Sequence, residues 1–370
     1  MDPQDTSAER TLPSTAEPSA GTASAASDHA AAPGPSMPEQ AGQLLGHVAG
    51  YIAHRTIELG LRAGLIEQLA RQPSRTSEQL VDDLDLDAFY VGVWCRAAFS
   101  AGILERAGEG YRLADHLDTL LLDGDSPAYV GGMFPLMLQS ELFDRFAACL
   151  HSGERLWWDE TSPEWIARVS ATGRPFYARL VPDGLARVPG LSAQLEAACT
   201  VVDTACGTGA GVRRLAEHHP RCEIIGVDGD AHSIEQAQRM VEAAGLADRT
   251  RFLVSPLEEL TLDEQASVVI NNISMHECRD MDRATAAIRE ALAPGGWFVI
   301  SDFPFPETDA GLRSVPGRIM AGIQYFEAQI DDQLQPRSVY DTLLERHGFV
   351  DVDWFELTPV HAVTSGRAPD

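Results

Sequence analysis

The chain has 370 residues, 44% of them hydrophobic and 22% charged, enough for two or three domains with a sizeable core and close to the balance of water-soluble globular proteins. No apolar run reaches the roughly 18 residues that a membrane span needs. With 55 acidic against 28 basic residues, the net charge of −27 repels phosphate backbones and anionic bilayers, so neither nucleic acid nor membrane is an expected partner. Every basic residue is arginine, which excludes Schiff-base catalysis, a pyridoxal phosphate anchor and a P-loop.

Residues 1 to about 40 are mostly Ala, Ser, Thr, Pro and Gly, the composition of a disordered tail. Asp2, Asp5 and Glu9, without a basic stretch or an apolar run, do not make a secretory signal, and a cytoplasmic location is expected. Helical periodicity starts at Leu44 and continues through Leu45, Val48, Ile52, Leu59 and Leu61, opening a first domain over 41–125. Within it Thr76 or Ser77 can cap a helix carrying Leu80 and Leu84. Asp87 can cap a second, with Val91, Trp94, Cys95, Ala98 and Phe99 inward. Ile103–Arg106 and Tyr111–Leu113 then read as a hairpin turning at Gly108–Gly110. Helix, helix, hairpin is the winged-helix order, but the second helix offers only Arg96 as a cation, which suits packing or dimerisation better than DNA. Residues 126–195 read as a helical linker. Its Trp157, Trp158 and Trp165 suit either an apolar ligand pocket or helix packing.

From Cys199 short β-rich runs alternate with helical runs. The expected fold over 196–370 is therefore α/β, a doubly wound, Rossmann-like parallel sheet that binds its ligand beyond the carboxyl ends of the strands. The six cysteines show no zinc-ligand spacing and read as buried reduced thiols.

The first strand of this sheet closes on Asp203 in "VVDTACGTGAG", where Gly207, Gly209 and Gly211 allow a tight turn and close approach of a ligand to the backbone. Val212 stands where a dinucleotide fingerprint has its last glycine. The second strand, "IIGVDGD", ends on Asp228, a carboxylate placed to accept hydrogen bonds from both hydroxyls of a ribose. An adenosine-type cofactor with a positively charged amino-acid portion fits this pair of acids.

With these motifs and the run "INNISMHECRDMDRATAAIREALAPGGWFVISDF", the chain resembles the class I S-adenosylmethionine-dependent methyltransferases, whose first motif is E/D-x-G-x-G-x-G. Together with the winged-helix front end it is similar to the small-molecule O-methyltransferases of plant phenolic and bacterial polyketide pathways. The resemblance implies S-adenosyl-L-methionine as methyl donor, with Asp203, Gly207 and Gly209 around its methionine part, Asp228 on the ribose and Leu257 on the adenine. Asn271 would also line the cofactor, and Arg174–Phe176 would cover it. His276 falls on the family's general base, Glu277 on the acid beside it and Asp302 on the acid that orients it. The acceptor implied is a small hydroxylated aromatic or polyketide-like molecule, the assembly a homodimer through the front-end helices, and no metal is required. Histidine suits the task, because an imidazole with a pKa near 6.5 can take a hydroxyl proton at neutral pH.

The chain departs from the family at four places. Ala205 replaces the first glycine of the turn, Ser255–Pro256 replaces the Gly-Asp that contacts adenine, Cys278 replaces an aromatic, and Gln335–Ser338 match a later E-R-T only loosely. Two alternatives stay open: a C-methyltransferase acting on an α-keto acid, metal-assisted, in which Glu327 or Gln324 helps, and a winged-helix regulator whose second domain senses a ligand.

Overall fold

The computed structural model describes residues 34–138, 140–155 and 173–370. Most of the expected tail and all three linker tryptophans lie outside the described residues. Helix α1 (Met37–Arg62) begins inside the stretch expected to be tail. Leu44, Leu45, Val48, Tyr51 and Ile52 are all more than half exposed on it. Contacts divide the chain into a unit ending at Ala49 and a second running from Gly50 to Asp370.

In the second unit, α2 (Leu65–Arg71), α3 (Ser77–Leu84), α4 (Ala88–Ser100) and the hairpin β1 (Leu104–Ala107) and β2 (Gly110–Leu113) follow in the expected order. Thr76 caps α3 reciprocally with Gln79, and the Asp87 carboxylate accepts from the amides of Phe89 and Tyr90 at the start of α4, satisfying amides that have no partner within the helix. Ile66, Leu69, Leu80, Trp94, Cys95 and Ala98 share one core. Phe99 does not point inward as expected. It is 44% exposed, and the Arg106 guanidinium lies over its ring at 5.2 Å, an aromatic face traded for a cation on the surface.

After α5 (Leu117–Leu122) and α6 (Ser140–Ser152), the helices α7 (Arg174–Arg179) and α8 (Leu191–Glu196) lead into the sheet. It alternates β3 (Thr200–Thr204), α9 (Ala210–His218), β4 (Glu223–Asp228), α10 (Ala231–Ala243), β5 (Thr250–Val254), β6 (Ala266–Asn272), α11 (Met281–Ala291) and β7 (Leu292–Asp302). Two further helices, α12 (Val315–Glu327) and α13 (Arg337–Arg346), precede the closing hairpin of β8 (Val350–Thr358) and β9 (His361–Arg367). The spatial order is β5-β4-β3-β6-β7-β9-β8, parallel through β7 and antiparallel at β9 and β8. The inner strands read as nearly unbroken apolar runs because both of their faces are buried. One layer holds Val201, Ile270, Val299 and Val363 under Leu180 and Leu185, and the other holds Val202, Val269, Phe298 and Ile300 under Ile288 and Leu344.

The expectation of reduced cysteines fails at one pair. Cys199 and Cys222 precede neighbouring parallel strands, which brings their Cα atoms within 4.6 Å, and they form a disulfide. The four others described are free. Ile270 is fully buried at the sheet centre, so Ile270→Ala is expected to destabilise by about 3 kcal/mol. Val254→Ala on the exposed edge strand should change stability by less than about 0.5 kcal/mol. Urea titration of both variants checks the contrast.

Candidate active site

The turn after β3 is built by backbone geometry. Ala205, Gly207 and Gly209 have φ of 52°, 51° and 88°, all left-handed. A Cβ on Gly209 would also meet the Ala237 Cβ at 2.7 Å, so both the conformation and the close passage of α10 require glycine there. The Gly207 amide donates to Asp228 Oδ2 at 2.8 Å and the Asp230 amide to Oδ1 at 2.9 Å. Asp228 thereby ties the turn to the tip of β4, and each of its oxygens keeps a further lone pair for a ligand.

Asp203 is fully buried. The Tyr177 hydroxyl on α7 donates to its Oδ1 at 2.7 Å, while Oδ2 has no hydrogen-bond partner among the described residues. Burial raises this carboxyl to about 7, with Asp228 adding to the effect and the Tyr177 bond opposing it. A buried acceptor without a donor is costly, and a cationic ligand group would relieve it. Leu257 is buried in the turn behind Ser255–Pro256, at the carboxyl end of β5. Asn271 is not free to reach a ligand as expected. It is enclosed, with Nδ2 donating to Thr204 Oγ1 and Oδ1 accepting from Ser274, because its position in β6 points away from the Asp203 face.

His276 lies in the turn Met275–Glu277 that follows β6, and Asp280, not His276, caps α11. Its Nδ1–H donates to Asp302 Oδ2 at 2.9 Å, and the same oxygen accepts from the Tyr340 hydroxyl at 2.6 Å. Nε2 has no hydrogen-bond partner among the described residues and stands 3.7 Å from Glu327 Oε2, which is likewise unpartnered. Ligand atoms of His276, Glu277 and Glu327 all lie within 4.8 Å of one another. Burial opposes a charge on the imidazole, but Asp302 and Glu327 together hold it well above its ordinary range. Burial and Glu327 raise Glu277 well above the carboxylate range, and the same two influences lift Asp332 to about 7. Phe303 faces the His276 ring at 6.4 Å between centroids, and Phe176 packs edge-on against Phe303 at 4.9 Å.

The structure thus brings together His276, Asp302 and Glu277, and separately Asp203, Gly207, Gly209 and Asp228. Phe176 extends α7 toward both groups. Tyr177, Tyr340 and Asp332 escaped sequence reasoning. Tyr177 follows the Arg174–Phe176 run directly, whereas Tyr340 and Asp332 sit in segments whose pattern reads as surface.

Residues 201–296 match the methyltransferase domain family. They form a methyltransferase domain. The demethylmenaquinone methyltransferase of Thermus thermophilus is 32% identical over 111 residues, 30% of this chain and 50% of that protein. The malonyl-[acyl-carrier protein] O-methyltransferase of Nitrosospira multiformis is 29% identical over 127 residues, 30% of this chain and 41% of its own. The matches span half or less of the length of these curated relatives. Among solved structures, the mitomycin 7-O-methyltransferase aligns with a TM-score of 0.65 at 19% identity, covering 89% of this chain and 98% of that one. The human N-acetylserotonin methyltransferase in complex with S-adenosylmethionine aligns at 0.65 and 16%, covering 91% and 100%. At these identities the likeness is one of fold. It extends over the helical front end as well as the methyltransferase domain.

The Asp203 carboxyl carries a pH signature. Its proton is held more tightly folded, at about 7, than in an unfolded chain, near 3.8, so its contribution to stability is full below the lower value and is lost as pH rises toward the upper one. Between pH 4 and 7 the unliganded Asp203→Asn variant should therefore lose less stability than wild type. Thermal melts across that range check the difference.

Proposed function

We propose that this chain is an S-adenosyl-L-methionine-dependent methyltransferase of bacterial secondary metabolism that methylates a hydroxyl of a small aromatic or polyketide-like molecule, with His276 as the general base. The observation that carries the reading is the pairing of two sites on one strand-end surface: an acid-lined glycine turn with an unsatisfied Asp203 oxygen, and an imidazole whose Nε2 is free while Asp302 holds Nδ1. The residues fit the donor. Asp203 offers an acceptor to the cationic amino-acid part, Gly207 and Gly209 bring the backbone close, and Asp228 faces the ribose. The donor when bound supplies an electrophilic methyl group on a sulfonium. Asp302 and Tyr340 fix the imidazole so that Nε2 can receive the acceptor's proton, and Phe176 and Phe303 keep water from the reacting oxygen.

The raised imidazole sets the pH behaviour. Asp302 and Glu327 favour the protonated imidazole, so more of the free base is uncovered as pH rises. Methyl transfer should therefore increase with pH. Glu327→Gln should move that rise to lower pH by removing a negative charge from the face of Nε2, while His276→Ala should lower kcat by roughly 100-fold or more. Isothermal titration with S-adenosylmethionine and S-adenosylhomocysteine tests the donor site. Asp228→Ala should weaken both about 100-fold, since two hydrogen bonds to a charged group are removed. Failure of wild type to bind either ligand would sink the reading, and binding without turnover on any acceptor would favour the ligand-sensing regulator.

We also propose a homodimer in the cytoplasm. The exposed apolar stripe of α1 supports it, with Leu45 at 67% and Tyr51 at 59% exposure. Light scattering should give twice the monomer mass, and Leu45→Glu should halve it. A second reading, a metal-assisted C-methyltransferase acting on an α-keto acid, is favoured by the convergence of His276, Glu277 and Glu327. Metal analysis of the purified protein separates the two: a stoichiometric divalent ion lost in Glu327→Gln supports the second.

A further inference from the structure

Four polar residues continue one apolar layer of the sheet. Val201, Ile270, Val299 and Val363 share that layer. Asp203, Asn272 and Ser301 stand two residues beyond the first three and His361 two residues before the fourth, so strand alternation puts all four on the same face, at the ligand end. Three of them are joined to α7 by a chain of hydrogen bonds whose direction is fixed at its source. Arginine can only donate. Arg179 Nε donates to His361 Nδ1 at 3.0 Å, which makes Nδ1 an acceptor and places the ring proton on Nε2. His361 Nε2–H then donates to Ser301 Oγ at 2.7 Å, and the Ser301 hydroxyl donates to Asn272 Oδ1 at 2.7 Å. The sequence of donors leaves the Asn272 amide one orientation. Its oxygen is engaged, and Nδ2 has no acceptor among the described residues although the residue is only 3% exposed. Burial and the neighbouring guanidinium keep His361 neutral, as the chain requires.

Two buried groups on adjacent strands are thus left with opposite needs: Asp203 Oδ2 on β3 lacks a donor, and Asn272 Nδ2 on β6 lacks an acceptor. An α-amino acid zwitterion meets both, ammonium to carboxylate and carboxylate to amide. We propose that Arg179, His361 and Ser301 form a positioning relay that presents the Asn272 amide to the α-carboxylate of the methyl donor's amino-acid tail, opposite Asp203. The inference rests on the methyltransferase reading above. Arg179 touches no ligand in this arrangement. Without it the His361 ring can adopt its other tautomer, Ser301 can donate to the ring, and Asn272 can turn its nitrogen toward Ser301, withdrawing the donor from the site.

The test compares S-adenosylhomocysteine with 5′-methylthioadenosine, which keeps the adenosine and the thioether but lacks the tail. Titration calorimetry is run on wild type, Asn272→Ala, Asn272→Asp and Arg179→Met. Asn272→Ala should weaken S-adenosylhomocysteine about tenfold, Asn272→Asp more strongly, and Arg179→Met about fivefold, while methylthioadenosine affinity changes less than about twofold in each. Equal loss for both ligands in the Asn272 variants would overturn the assignment of Asn272 to the tail. Loss confined to the Asn272 variants, with Arg179→Met behaving as wild type, would overturn the relay. Asn272→Asp keeps the side-chain volume, so the comparison survives if the alanine variant fails to fold. Wild type that binds neither ligand would instead overturn the methyltransferase reading itself.

Discussion

The reversal of strand order between β3 and β6 is the constraint on which the rest of the site depends. From β3 the chain moves outward through β4 to β5, and from β6 it moves the other way through β7. The connections therefore leave these neighbouring strands in opposite directions, and their carboxyl ends stay uncovered by their own crossovers. Polar groups that would be intolerable inside either core layer can be placed there. Asp203, Asn272, Asp302 and Asp228 all occupy the last position or two of a strand, where backbone pairing fixes the Cα. His276 stands in the short turn that leaves β6, close enough to the sheet to use Asp302 from the next strand.

Burial makes this surface electrostatically unsettled. Carboxylates with little access to water are costly unless paired, and the fold answers the problem differently at each one. Asp302 has three donors, His276 and Tyr340 on Oδ2 and the Phe303 amide on Oδ1, so both oxygens are served. Asp228 is held by two backbone amides. Asp203 has one donor and one orphaned oxygen, and Glu327 and Nε2 of His276 face each other across 3.7 Å without a hydrogen bond. Binding free energy from a ligand that served these atoms would offset a cost built into the unliganded fold.

The parts of the site that end strands were legible in the amino-acid sequence, because a glycine turn or a lone acid directly after an apolar run marks the place where a buried strand meets its ligand end. Asp203 and Asp228 belong to that group, whereas His276 and Asp302 were placed by the resemblance to the methyltransferase family. The neighbouring Asn271 and Asn272 show the limit of such reading, since adjacent strand residues face opposite ways and the choice between them depends on the register of the whole sheet. Tyr177, Arg179, Glu327 and Tyr340 come from helices, where only tertiary packing decides which face turns toward the strand ends. The disulfide between Cys199 and Cys222 was hidden for the same reason, as it depends on β3 and β4 being neighbours and parallel.

Arginine at the head of the relay matters for its permanence. Burial lowers Arg179 only to about 10, so it stays a donor across the range in which Asp203 exchanges its proton, near 7. A lysine in the same half-buried place would lose its charge more readily, and once neutral its amine could accept as well as donate, allowing the whole chain of bonds to reverse. A guanidinium cannot reverse. The orientation of the Asn272 amide is then independent of pH, while the carboxylate opposite it is not, so the two ends of a bound amino acid would be held by one fixed contact and one titratable contact. Within the amino-acid tail, change of affinity with pH would enter at the ammonium end, as Asp203 ionises near 7, and the carboxylate end would set the direction of the tail throughout.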